Sequence, residues 1–556
     1  MIIDCTNEYV TVNVADDNIL VSIGTATFSQ PIDEDHNGAL SVKPSAPRDA
    51  LLALLHHLGV AADHAADLPE PQGIGIEGEV ASPTYVFRPV WVASDLEVRA
   101  TMEVLRIPAA TNHPSVRTVP VWTLTIRLDP HHYVVQLRQS DLALAAVWDY
   151  ARPACYLVYP WPLTNPDEGP RQLVCDPWHP DASPLGWQRT NDTFVYPDTQ
   201  GNNVRAQLYS PDRQSGSEVL IRPQGTGPDH STFAFPLDLS QEPTAYGEAS
   251  VTQLFYHTNM MHDLLYGYGF DEPAGNFQTN NFGRGGLGND ALVAYAQNPD
   301  RFNNAYFNTP PDGEPPTMWM FLFNLTTPHR DDTLDRTVVV HEYTHGLTAR
   351  LTGGPANSFC LLFGESAGLA EGWSDFVAAI LQVRDVGNGT NSTGIPYPPI
   401  AIGAYVSGKP GGLRLHPFST DRTVNPVTYS WLNRPEYAEI HAAGEVWASL
   451  LYEVFWNLVD RHGFNADWWN HGGHEKGAPS QGNVLALQLV VDGLKLQPCF
   501  PTFLTARDAI IHAEDLRTHG TNRCEVWRGF AKRGLGLAAN YSQGMYTDDF
   551  TVPTGC

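Results

Sequence analysis

The most restrictive stretch of this chain is residues 338–345, which read Val-Val-Val-His-Glu-Tyr-Thr-His. Three β-branched apolar residues leading straight into two histidines describe a buried segment, and buried histidines need partners. On a helix, positions i and i+4 share a face, so His341 and His345 can offer two nitrogens to one metal ion. Glu342 falls beside the open position of such an ion, where it could take a proton from water. With 21 histidines in 556 residues, chance supplies this pattern about 0.04 times in such a chain. Two histidines on a solvated helix face would be the bland reading, and the three valines weigh against it.

Zinc, the ion that suits this spacing, needs at least a third protein donor. The segment Gly364-Glu-Ser-Ala-Gly-Leu-Ala-Glu-Gly-Trp-Ser-Asp375 supplies candidates. Glu371 and Asp375 are again i and i+4, so one carboxylate can reach the metal while the other holds a ligand histidine. Glu365 competes, but Leu369 stands four positions on, so Glu371 is preferred. A capping acid and a solvated pair are the alternative. One zinc ion per chain is expected.

Composition limits the partners. Against 61 acidic residues stand 33 basic ones, a net charge of −28, which repels phosphate backbones and excludes general nucleic-acid binding. No run of 18 apolar residues offers a membrane span. The seven cysteines form no C-x-x-C pair, so a cysteine-only zinc site is not expected. The odd count leaves one thiol free or paired with another molecule. Cys499 and Cys524 flank a helical stretch and are expected to bond; Cys360 has no evident partner. Sequons at Asn191, Asn324, Asn388, Asn391 and Asn540 favour secretion. Met1 to Phe28, with Asp4, Glu8, Asp16 and Asp17 and no positive run, does not read as a signal peptide.

Residues 8–28 alternate as strand, Ser45 to Leu58 reads as a helix ended by Gly59, and 65–150 is mostly strand-like. Residues 1–150 are therefore one α+β unit. From Tyr156 to about Pro236 the chain is rich in turn residues, and Ser250 to Tyr268 is a helix candidate. Beyond Thr333 helical segments follow at 333–352, 365–386, 440–461, 482–496 and 501–516. His257 and His262 read as core or capping residues. His471 and His474, in a glycine-rich loop, are a weak candidate for a second metal site.

HEYTHGLTARLTGGP followed by ESAGLAEGWSDF resembles the fungalysin peptidases and, more remotely, thermolysin. So do QLFYHTNMMHDLLYGYGFDEPAGNFQTNNFGRGG, NNAYFNTPPDG and IHAAGEVWASLLYEV, and the likeness covers nearly all of 150–556. Before 150, ALLALLHHLGV and WTLTIRL resemble the family's prosegment more weakly, with the chain starting inside that pattern. The resemblance implies a secreted zinc endopeptidase made as a zymogen. His341, His345 and Glu371 would bind zinc, Glu342 would be the general base and Asp375 would orient His341. The likeness to thermolysin-type clefts adds Asn304 and the backbone of Ala305 as main-chain partners of the substrate, along an edge strand. It also adds Arg414 as holding a substrate carbonyl and His441 as an oxyanion donor. One departure stands out: nine residues before Glu371, where such clefts carry a tyrosine, is Leu362.

The fold expected is α+β. A mostly β prosegment at 1–150 precedes a two-lobed thermolysin-like catalytic domain at 151–556. Its β-rich lobe covers about 151–340 and its helical lobe about 346–556, with zinc in the cleft. Protein or peptide substrates, the prosegment as intramolecular inhibitor or chaperone, and a monomer are expected. The rivals are a non-catalytic zinc-binding secreted protein, against which Glu342 argues, and a zinc aminopeptidase, which needs an acidic recess that nothing in the chain suggests.

Overall fold

A computed structural model describes residues 154–556 except 192–193, 210–220, 228–229, 385–396 and 470–480; before 154 it describes Ala46, one helix, ten strands and residues 140–143. The chain falls into two units, Met1–Pro153 and Ala154–Cys556. His471 and His474, Asn388 and Asn391 lie outside the described residues, as does the side chain of Cys5.

The first unit is built on a six-stranded antiparallel sheet. Its strands lie in the order 144–149, 131–138, 116–128, 98–108, 84–87 and 72–74, a run of successive neighbours. Within 121–125, Val121, Trp122 and Leu124 are buried while Thr123 and Thr125 are less so. Helix α1 (Pro47–His57) packs on the central strands, burying Ala50, Leu51 and Leu54.

In the second unit strands come first. Strands 155–158, 172–175 and 232–233 form a small sheet, in which Cys155 lies directly opposite Cys175 and is bonded to it. A second sheet runs 204–208, 292–302, 317–323, 305–308. The last strand pairs antiparallel with 317–323, Ala305 opposite Met320, and is the outer one. Helix α2 (Gly247–Gly267) is buried almost all round, as a helix covered on every side must be. Its two histidines are core groups. His257 Nε2 is 2.9 Å from Gln253 Nε2, and His262 Nδ1 is 2.8 Å from Asp263 Oδ1.

Helices dominate from residue 336 onward. They are α3 (Arg336–Leu351), α4 (Glu365–Ile380), the single turn α5 (Ala404–Ser407), α6 (Ile440–His462), α7 (Gly482–Leu496), α8 (Phe503–Thr518) and α9 (Arg523–Lys532). α3 starts three residues later than the sequence pattern suggests. A 3₁₀ turn occupies 332–334, and Asp335 then caps the helix by accepting from Thr337 N at 3.1 Å. α9 escapes the pattern because charges interrupt it, yet Val526, Trp527 and Phe530 are buried.

The cysteine pairing differs from the expected one. Cys499 bonds Cys360, and Cys524 bonds Cys556. The 16 residues of α8 stand between Cys499 and Cys524, and a helix of that length is about 24 Å long, far beyond the roughly 7 Å that a disulfide spans between Cα atoms.

α4 and α6 cross at two glycines. A Cβ on Gly444 would lie 2.6 Å from Glu371 Cβ and 2.8 Å from Gly372 N, and one on Gly372 would lie 2.6 Å from Gly444 O. The backbones touch, and the contact sets the height of Glu371. Alanine for glycine in an exposed helix stabilises by about 1 kcal/mol. Gly444→Ala should do the opposite, because backbone atoms cannot move aside as a flexible side chain would. A lowered thermal unfolding midpoint is expected; an unchanged or raised one would show that the crossing tolerates a methyl group.

Candidate active site

α3 puts His341 and His345 on one face, their Nε2 atoms 3.1 Å apart. α4 brings Glu371 against them. Its Oε2 is 3.1 Å from His341 Nε2 and its Oε1 is 3.7 Å from His345 Nε2. Donor atoms of the three residues all lie within 4.8 Å of one another. In a tetrahedral zinc site with bonds of about 2.0–2.1 Å, neighbouring donors are about 3.3–3.4 Å apart. The observed spacings bracket that value. Two imidazoles and a carboxylate also leave one position open, as catalytic zinc sites do. Among the described residues no other group of three or more His, Cys, Asp or Glu side chains converges in this way.

A chain of buried bonds holds the cluster. His341 Nδ1 is 2.8 Å from Asp375 Oδ1, which turns Nε2 toward the donors. Arg414 grips Asp375 with Nε at 2.6 Å and Nη2 at 2.7 Å. Burial alone would raise the Asp375 carboxyl; Arg414 and His341 hold it below the usual range. Beyond it, the fully buried Glu445 accepts from Leu415 N at 2.9 Å and faces His416 Nδ1 at 2.8 Å, fixing the segment that carries Arg414.

Without an ion, charge inside the cluster is shared by protons. Burial lowers the His341 pKa, but bonds to Asp375 and Glu371 outweigh it and lift the value to about 10. Burial takes His345 down to about 4. Burial pushes the Glu342 carboxyl up to about 7, against the pull of His341. The Glu371 carboxyl is strongly depressed: burial opposes this, and His345 and His341 prevail. A dication held by these donors would compete with the proton on His341.

The cluster opens on a cleft of about 410 Å³ that Glu342, His441, Asn304 and Ala305 also line. The strand 305–308 forms one side. α3 approaches it closely because Gly346 has no side chain; a Cβ there would lie 2.8 Å from Phe307 Cζ. Asn304 Oδ1 accepts from Ala305 N at 2.9 Å. His441 Nε2 stands 3.4 Å from Glu371 Oε2. Its Nδ1 is 2.6 Å from Glu439 Oε1, while Glu439 Oε2 caps α6 through the backbone N–H groups of His441 and Ala442. Glu439 belongs to no motif in the sequence; an acid two residues before a histidine at a helix start is the available signal.

Arg414 is placed behind the cluster on Asp375, not among the residues that line the cleft. Glu365, the competing donor, accepts from Phe503 N at 3.0 Å. Leu362 lines the cleft and brings no hydroxyl to it.

Residues 155–539 match the family described as fungalysin metallopeptidase (M36). The chain belongs to the fungalysin family. Among its relatives is an "Extracellular metalloproteinase" of Pyrenophora tritici-repentis, 47% identical over 411 residues, 74% of this chain and 61% of the relative. "Extracellular metalloproteinase 2" of Phaeosphaeria nodorum is 46% identical over 411 residues, 74% of this chain and 62% of its own length. "Extracellular metalloproteinase 9" of Uncinocarpus reesii is 44% identical over 411 residues, again 74% and 62%. This fungalysin thus spans about three fifths of the length of the curated relatives it matches.

The geometry separates the two candidate glutamates. Glu371→Ala should abolish stoichiometric zinc in the purified fungalysin, and Glu365→Ala should keep it. Metal content by mass spectrometry decides; the reverse pattern would move the third donor to Glu365.

Proposed function

We propose that this fungalysin is a secreted zinc endopeptidase, made as a latent precursor, that hydrolyses internal peptide bonds of extracellular proteins without an acyl-enzyme. The observation that carries the reading is one cleft holding the His341–His345–Glu371 donor cluster, the buried acid Glu342 and the half-exposed His441. A purely structural metal site would need neither of the last two. Three disulfides among the described residues suit an oxidising compartment, and the relatives cited are named extracellular.

His341, His345 and Glu371 would hold the zinc ion, which would supply Lewis acidity toward a carbonyl and a water molecule. Glu342 accepts a proton from that water and delivers it to the leaving amine. His441 donates from Nε2 to the oxyanion of the tetrahedral intermediate, and Glu439 holds the ring in that direction. Asp375 acts through His341, and Arg414 through Asp375. The outer strand 305–308, with Asn304 and the backbone of Ala305, pairs with the substrate main chain. Residues 1–150 serve as the prosegment, released by cleavage between about Asp149 and Cys155; the mature enzyme works as a monomer.

Glutamine has nearly the shape of glutamate but is no base. Glu342→Gln should bind zinc and fold, yet cleave an internally quenched peptide blocked at both ends at least about 100-fold more slowly. Turnover above about a tenth of wild type would remove Glu342 from the base role.

With Leu362 in place of a tyrosine, His441 carries more of the oxyanion. Its removal should cost about 2.7–4 kcal/mol in the barrier. His441→Ala is therefore expected to lower kcat by about 100- to 1,000-fold with zinc retained. A change confined to KM would assign the ring to ground-state binding instead.

A further inference from the structure

We infer that Asn324 carries an N-linked glycan on its amide nitrogen, and that the sugar stands at the rim of the cleft over the exposed apolar pair Phe302 and Leu325. The inference goes beyond the peptidase reading above and rests only on its secreted part, since the sugar is added during export.

Of the five Asn-X-Ser/Thr triplets, 324–326 and 540–542 lie wholly within the described residues. Both asparagines are exposed, as a residue that bears a bulky sugar must be. Their carboxamides differ. Asn540 Nδ2 donates to Ala538 O at 3.3 Å and its Oδ1 accepts from Ser542 Oγ at 3.1 Å, so that triplet closes on itself. Asn324 is held through other atoms. Its Oδ1 accepts from Asn303 Nδ2 at 2.8 Å, and its N donates to Asn303 Oδ1 at 3.0 Å. Thr326 Oγ1 donates to Pro328 O at 2.7 Å and not to Asn324. Among the described residues Asn324 Nδ2 has no hydrogen-bond partner. The acceptor nitrogen is thus fixed in direction and free, in the turn between strands 317–323 and 330–331.

The co-reactant is a lipid-pyrophosphate-linked oligosaccharide. The Asn324 nitrogen attacks C1 of its first sugar. The C1–N bond forms, the C1–O bond to pyrophosphate breaks, and the nitrogen gives up one proton to the departing lipid pyrophosphate. No electrons are gained or lost.

The neighbours say what the sugar does once attached. Asn303 precedes Asn304, which lines the cleft, so the glycan is rooted at that end of the outer strand. Phe302 is 45% exposed and Leu325 47%. A lone apolar side chain in water is ordinary. Here two flank a bonded asparagine pair, and such a surface gains by being covered. A pyranose has a face of C–H groups and a rim of hydroxyls. The face can lie on Phe302 and Leu325 while the hydroxyls stay in water.

The test uses the enzyme exported from a host that glycosylates its secreted proteins, digested and read by mass spectrometry with and without peptide-N-glycosidase. The peptide spanning Asn324 should carry a glycan mass and should emerge from the glycosidase with aspartate at 324. Thr326→Ala should lose that glycan while leaving the Asn324–Asn303 pair in place, and Thr326→Ser should keep it, which a general folding defect cannot imitate. Thr326→Ala should also bind more of an apolar fluorescent dye, and adding Leu325→Ser should reverse the rise. A chain that is not exported overturns the secreted reading and this inference with it. An exported, active enzyme with a bare Asn324 overturns this inference alone. A glycan whose loss leaves dye binding unchanged overturns its role over Phe302 and Leu325.

Discussion

The second unit depends on keeping three donor side chains, His345 partly exposed and the other two buried, at one point. His341, His345 and Glu371 come from two helices, and neither helix could hold them alone. α3 fixes the histidines by its own periodicity. Glu371 is fixed by the contact of α4 with α6, where Gly372 and Gly444 bring two backbones together. The cost of burying charge is met outward in steps: His341 leans on Asp375, Asp375 on Arg414, and the Arg414 segment on Glu445. Each partner keeps the preceding group from being a lone buried charge.

The same elements shape what reaches the donor cluster. α6 begins beside Glu371, so its cap and first residues stand at the cleft. Glu439 therefore closes the helix end and aims His441 with one carboxylate. Opposite them, the outer strand leaves its free edge along the cleft. The sheet and the helices thus meet where an extended chain can lie, and the disulfide from Cys360 to Cys499 ties the loop between α3 and α4 to the segment before α8.

Much of this is legible in the chain. The donor residues follow from i, i+4 spacing on two amphipathic stretches, because a helix turns a local pattern into a common face. The preference for Glu371 over Glu365 rests on Asp375 one turn on; in the structure Glu371 faces His341 and His345, and Glu365 accepts from Phe503 N. The helix positions from 336 to 518 follow from apolar period and caps, to within a few residues except at the end of α4, which stops at Ile380. What is not legible depends on contacts between distant segments. Cys360 and Cys499 are 139 residues apart, and packing of distant helices, α3 beside α7 and α4 beside α8, makes them neighbours. Glu445 and His416 sit 29 apart with no shared motif. Arg414 can be singled out, but its position on Asp375 depends on that lock.

The account stands on the three-residue metal point, and anomalous diffraction from crystals of the zinc-loaded enzyme, recorded on both sides of the zinc absorption edge, tests it most directly. One peak is predicted, about 2.0–2.2 Å from His341 Nε2, His345 Nε2 and a Glu371 carboxylate oxygen, with Asp375 bonded to His341 and outside the coordination sphere. A stoichiometric peak at any other group of side chains, with these three residues free of metal, would contradict it.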